Sequence, residues 1–215
     1  MCGIVGYVGR RDVTELLLSG LYRLEYRGYD SAGIAVQAAG MNQPRVLRCS
    51  GRINALKALI EEAPPAIPPG TPCVGIGHTR WATHGAPTTA NAHPHVSPDG
   101  TFAIVHNGII DNYAKLKKRL QEKEHEFRSE TDSEVIAHLV EECYEGDLRS
   151  ALAATVEQLD GTYGIVLISS RQPDTIVAAR NGSPIVVGVC ENETIIASDV
   201  SAIVQYTQKA MFLDD

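Results

Sequence analysis

MCGIVGYVGRRDVTELLLSGLYRL, residues 1–24, joins two patterns of different period. Residues 3–9 are, Tyr7 apart, small or β-branched, which suits a buried strand with glycines where backbones approach closely. Asp12 followed by Glu15 has the form of a capping box, and Val13, Leu16, Leu17, Leu21 and Leu24 recur at helical spacing. The reading is a buried strand followed at once by a helix over 12–24, which ends near Gly28.

The rest of the chain alternates in blocks. Strands are expected at 33–38 and 45–49, and a short helix at 53–62. The segment APPAIPPGTP at 63–72 cannot be regular structure and reads as a surface loop. Strand-like VGIGH follows at 74–78, and FAIVH at 102–106 is another strand. A charged helix is expected at about 112–124. Thr131 and Glu134 read as a second capping box, opening a helix with Val135, Ile136, Leu139, Val140 and Cys143 on one face. A further helix covers 148–158, and strands are expected near 163–169, 175–180, 185–190 and 194–198. Strands, then helices, then strands suggest an α+β layered domain.

Composition sets bounds on function. The 215 residues are long enough to bury a sizeable core without disulfides. The formal charge of −7 gives no global footprint for nucleic acid. No apolar run approaches the ~20 residues that span a bilayer, and the basic residues follow the apolar start, the reverse of a secretory signal. Five cysteines make no disulfide framework at this length; they suggest a reducing compartment, and a cytoplasmic protein is expected.

Four places carry candidate chemistry. Loss of Met1 leaves Cys2 with a free α-amine, placing nucleophile and base on one residue. Their reference pKa values, ~8.5 for the thiol and ~7.7–8.0 for the amine, make proton transfer nearly balanced. HTRWATHG at 78–85 offers Arg80 for a carboxylate with hydroxyl and backbone donors beside it, or else a solvated loop. HNGIID at 106–111 holds Asn107–Gly108, either a plain turn dipeptide or a side-chain and a backbone N–H converging on an oxyanion. SETDSEV at 129–135 reads as a helix cap, or as Asp132 presented to a ligand ammonium. The histidines at 78, 84, 93, 95 and 106 raise the question of zinc. No cysteine pair or H-E-x-x-H accompanies them and Pro94 suits a turn, so no metal is expected.

MCGIVGYVG, LEYRGYDSAG at 24–33, HTRWATHG, NAHPH at 91–95, HNGIIDN at 106–112 and SETDSEVIAHL at 129–139 closely resemble, in this order, the glutaminase domain of the glucosamine-6-phosphate synthases. These are also called glutamine–fructose-6-phosphate transaminases (isomerizing), and they belong to the N-terminal-nucleophile glutamine amidotransferases. The resemblance covers essentially all of residues 1–215 and implies one glutaminase domain. It implies a four-layer αββα sandwich of two antiparallel sheets between helical layers. It implies that Cys2 is the nucleophile and its α-amine the general base, and that Asn107 and Gly108 form the oxyanion hole. By the same resemblance Arg80, with Thr83 and His84, binds the α-carboxylate of L-glutamine, Asp132 binds its α-ammonium, and Trp81 helps cover the pocket. Arg27 and Gly28 match the loop near the terminal amine. No cofactor is implied. The partner implied is a sugar-phosphate isomerase domain that binds fructose 6-phosphate in the full enzyme and is expected to be absent from this chain, which would then only hydrolyse glutamine. Three other readings stay open here: a non-catalytic glutamine-binding module, the glutaminase domain of another class II amidotransferase, and a metal hydrolase on His78, His93 and His95.

Overall fold

The computed structural model describes residues 2–82 and 85–215; Met1, Thr83 and His84 lie outside the described residues. The first strand, β1 (Gly3–Gly9), runs into helix α1 (Val13–Leu24) as expected, and Asp12 caps it by accepting from the N–H groups of Thr14 and Glu15. There follow β2 (Ser31–Ala38), β3 (Arg45–Ser50), α2 (Ile53–Glu62), β4 (Cys73–Arg80) and β5 (His95–Val96). Next come β6 (Phe102–Ile110), α3 (Tyr113–Gln121), α4 (Glu134–Cys143) and α5 (Leu148–Val156). The last strands are β7 (Gly161–Ser169), β8 (Gln172–Asn181), β9 (Val186–Val189), β10 (Thr194–Ala197) and β11 (Ala210–Phe212).

The strands form two antiparallel sheets. One has the order β11-β9-β10-β1-β4-β2-β3 and the other β5-β6-β7-β8. Side chains alternate faces along each strand, so each sheet needs cover on both sides. On the outer face of the first sheet, Val5 and Tyr7 pack with Leu17 and Leu21 of α1 and Ile53 and Leu56 of α2. On the outer face of the second, Phe102 and Ile104 pack with Leu116, Val135, Ile136 and Leu152 from α3, α4 and α5. Between the sheets, Ile4, Val74 and Ile76 meet Val105, Val166 and Ile168. The result is the four-layer αββα sandwich. No described helix is long and apolar enough to cross a membrane.

Two sequence readings change, and one strand is added. The strand read as 102–106 continues to Ile110, so Asn107 and Gly108 lie on β6 and not in a turn after it, paired with Gly164 and Tyr163. The Thr131–Glu134 capping box does not form. Glu134 instead accepts from the N–H groups of Arg128 and Ser129 at 2.8 and 2.7 Å, and Thr131 Oγ1 bonds His95 Nε2 at 3.0 Å. A buried carboxylate finds stronger partners in the preceding loop than at the helix start. The edge strand β11, exposed along its length, carried no periodic signal.

Candidate active site

Period-two alternation builds the site. On β4, Val74 and Ile76 face the second sheet, and the same face ends in His78 and Arg80. On β6, Ala103 and Val105 face the first sheet, and that face ends in Asn107. On the chain leading into β1, Cys2 precedes Ile4 by two. At this end of the sandwich the apolar filling gives way to a cavity of about 310 Å³. Its walls include Cys2, Arg27, Arg80, Trp81, Asn107, Gly108 and Asp132, seven of the ten residues to which the resemblance gives a role.

Cys2 Sγ accepts from the Trp81 N–H at 3.2 Å. Burial pushes its thiol up, and the Trp81 N–H pulls it back. The Cys2 carbonyl accepts from Asn107 Nδ2 at 3.1 Å. That amide has a second hydrogen, so one donor remains for a ligand oxygen. Gly108 sits at φ +132°, and a Cβ there would lie 2.0 Å from the Thr162 carbonyl oxygen, so only glycine fits.

Arg80 is buried at 4% exposure, and its guanidinium donates to the carbonyls of Gly85 and Ala86 at 3.3 Å each. Asp132 is equally buried, with Oδ2 accepting from the Ile110 N–H at 2.8 Å. Arg27 donates to the Asp199 carboxylate and, through Nε, to Tyr26 Oη at 3.0 Å. Gly28 does not line the cavity. It lies against the Arg80–Trp81 backbone, where a Cβ would come within 2.7 Å of the Arg80 carbonyl carbon. Thr83 and His84 lie outside the described residues.

The sequence reading missed some residues. Asp30 accepts from the Ala82 N–H and from Ser31 Oγ, the latter at 3.0 Å, and so fixes the chain just after Trp81. Thr162, Ser183 and Pro184 complete the far wall of the cavity. His78 stood in the sequence reading only as a metal-ligand candidate, and nothing local marked Ser183. Three histidines form a buried cluster: His93 lies tilted against His78 with ring centres 4.1 Å apart and meets His95 edge-on at 4.6 Å. Burial pushes His78 and His95 down to about 3, and His93 lower than its usual range, so all are neutral at pH 7. Among the described residues no group of three or more His, Cys, Asp or Glu is placed to hold a metal ion.

A sandwich of this kind, with a cysteine leading into an interior strand beside a polar cavity, has the architecture of the N-terminal-nucleophile amidotransferases. A family model described as glutamine amidotransferase domain matches residues 78–205, and the chain belongs to that family. It is 52% identical over 216 residues to a glutamine–fructose-6-phosphate aminotransferase [isomerizing] of Thermus thermophilus, covering 100% of this chain and 34% of that protein. It is 51% identical over 217 residues to the enzyme of the same name from Haemophilus influenzae, with the same coverage. The chain thus spans about a third of the length of these relatives. A solved glutamine phosphoribosylpyrophosphate amidotransferase from B. subtilis, complexed with ADP and GMP, superposes with a TM-score of 0.77 at 24% identity. That match covers 99% of this chain and 44% of that one, and it speaks to the fold alone.

Proposed function

We propose that the chain hydrolyses the side-chain amide of L-glutamine to glutamate and ammonia through Cys2. The observation that carries this reading is one cavity lined by a cysteine, an Asn–Gly donor pair, an arginine and an aspartate. Glutamine carries a carboxylate and an ammonium on Cα and a neutral amide two carbons beyond Cβ. Arg80 takes the carboxylate, Asp132 the ammonium, and Trp81, half exposed, covers the ligand. Thr83 and His84 assist at the carboxylate. Arg27 and Gly28 hold the loop beside the terminal amine. Ligands lacking either charge leave a buried partner unpaired and are rejected.

Chemistry follows from removal of Met1. The α-amine of Cys2 takes the thiol proton, and the thiolate attacks the amide carbon. The carbonyl π electrons move to oxygen, which Asn107 Nδ2 and the Gly108 N–H stabilise. Collapse breaks the C–N bond, ammonia leaves with the proton held by the amine, and a γ-glutamyl thioester remains. Water then attacks the thioester, the amine again accepting its proton, and glutamate departs with Cys2 restored. Every proton in this sequence is accounted for by the thiol, the amine and water.

Residues 1–215 make up one glutaminase domain in this reading. By likeness to its longer relatives, the ammonia serves a sugar-phosphate isomerase domain that binds fructose 6-phosphate, in the cytoplasm. The test is a coupled ammonia assay with the N-terminal mass determined on the same sample. Activity is expected only from protein lacking Met1, and none from Cys2→Ala. A glutamine-analogue electrophile should label Cys2 and none of Cys49, Cys73, Cys143 or Cys190. Tight glutamine binding without ammonia release from Met-free protein would instead establish a binding module.

A further inference from the structure

Asn107 can serve an oxyanion only if its amide presents nitrogen, and not oxygen, to the reacting carbonyl. Rotation of the amide by 180° about its last bond exchanges the two at almost no steric cost. Something must choose.

His78 is buried at 1% exposure, and its Nε2 lies 3.1 Å from the His106 carbonyl oxygen and 3.0 Å from Asn107 Oδ1. A backbone carbonyl only accepts, so Nε2 must carry the hydrogen. That single N–H is shared between two acceptors. Its second acceptor must then be the amide oxygen, because an amide N–H2 there would meet another donor. With Oδ1 held by His78, Nδ2 faces Cys2, whose carbonyl accepts from it at 3.1 Å. The order of determination runs from a backbone carbonyl, to an imidazole tautomer, to an amide orientation. The neutral ring also leaves Nδ1 bare, and among the described residues that nitrogen has no hydrogen-bond partner.

We propose that His78 is a positioning residue that fixes the Asn107 amide with its N–H2 toward the reacting carbonyl, which rests on the glutaminase reading above. It touches no substrate and acts through Asn107 alone. Loss of one oxyanion donor costs on the order of 10²–10³ in rate. His78→Leu removes the lock and leaves Oδ1 without a donor, so kcat should fall about 100-fold with KM little changed. His78→Gln keeps an N–H2 at similar reach and should recover most of the rate.

The decisive readout is affinity for the aldehyde analogue of glutamine. Its thiohemiacetal with Cys2 places an oxygen where the oxyanion forms. Its affinity should fall in His78→Leu by about the factor lost in kcat, while affinity for glutamate stays unchanged. The double variant with Asn107→Ala should be no slower than Asn107→Ala alone. The idea is overturned by a His78→Leu enzyme within threefold of wild type, by equal losses for aldehyde and glutamate, or by additive effects with Asn107→Ala. Nitrogen NMR of the wild-type protein provides a test that does not depend on any variant folding: the Nε2–H tautomer is expected, and a Nδ1–H tautomer overturns the assignment. Absence of ammonia release from Met-free wild type would remove the glutaminase reading and leave the tautomer result standing.

Discussion

Gly28→Ala tests how tightly the surroundings of Cys2 are held. Gly28 has φ −171° and ψ 140°, extended backbone that alanine adopts freely, so the cost is one of contact alone. The added Cβ would lie 2.7 Å from the Arg80 carbonyl carbon, 2.8 Å from its oxygen and 3.0 Å from the Trp81 nitrogen. All three are backbone atoms and none can swing aside. Ordinary contact needs about 3.5 Å, so the Arg80–Trp81 peptide must move by roughly 0.8 Å. Overpacking of this kind costs about 1–3 kcal/mol, or a Tm lowered by roughly 2–12 °C for a domain of this size. The peptide that moves carries the N–H bonded to Cys2 Sγ. A displacement near 1 Å at a reacting centre costs about 100-fold in rate. Weakening that bond also lets burial raise the thiol further, since the Trp81 N–H opposes it. The assays are thermal unfolding, ammonia release, and the pH profile of Cys2 alkylation, which should shift to higher pH. A Gly28→Ala protein with wild-type Tm, rate and alkylation profile would refute the reasoning.

Other outcomes follow from the same geometry. Asp132→Asn keeps an acceptor for the Ile110 N–H but loses the charge, so KM for glutamine should rise roughly 10–100-fold with little change in Tm; a KM within twofold of wild type contradicts the ammonium assignment. Burial depresses His78, His93, His95 and His106, whereas the unfolded chain protonates them near pH 6.5. Below that pH the unfolded state binds more protons, so stability falls on acidification. The slope approaches about 1.4 kcal/mol per pH unit for each imidazole, and urea unfolding between pH 7 and 5 should reveal it, where a flat profile would not fit. Trp81 is the chain's single tryptophan, lines the cavity and meets Tyr29 edge-on at 5.3 Å. Glutamine added to Cys2→Ala should change its emission saturably, and an unaltered spectrum would argue that Trp81 does not cover the ligand.

Much of this arrangement was legible because it depends on local pattern. The β1–α1 unit could be read from two periods and Asp12 does cap α1. Arg80, Asn107 and Asp132 stood out as polar residues beside apolar runs, and the cavity gathers them. What escaped depends on pairing across the fold. Nothing local to HNGII tells whether the strand stops at His106 or continues to Ile110; the partner strand β7 decides it. Glu134 looks like a cap in sequence, yet the loop at 128–129 folds back to offer it better donors. The histidine spacing allowed a ligand set, but the fold gathers the rings into a buried, neutral cluster. Asp30 reaches the Ala82 N–H from 52 positions away, a contact no window on the sequence contains.

Cys2 leads into one sheet and Arg80 lies on it, whereas Asn107 and Gly108 lie on the other. Among the described residues no strand belongs to both sheets, and the groups meet across the gap through the Asn107–Cys2 and His78–Asn107 hydrogen bonds. Behind those bonds, the separation of the sheets is set by the apolar side chains wedged between the layers, such as Ile4, Ile76, Val105 and Val166. These residues act as shims. Trimming one by a methylene, without touching any cavity-lining polar group, would narrow or tilt the gap across which the proposed tetrahedral centre forms. Laboratory selection for altered turnover should then enrich conservative swaps deep in the middle layer, and moderate hydrostatic pressure, by thinning that layer, should tune the rate before it unfolds the chain.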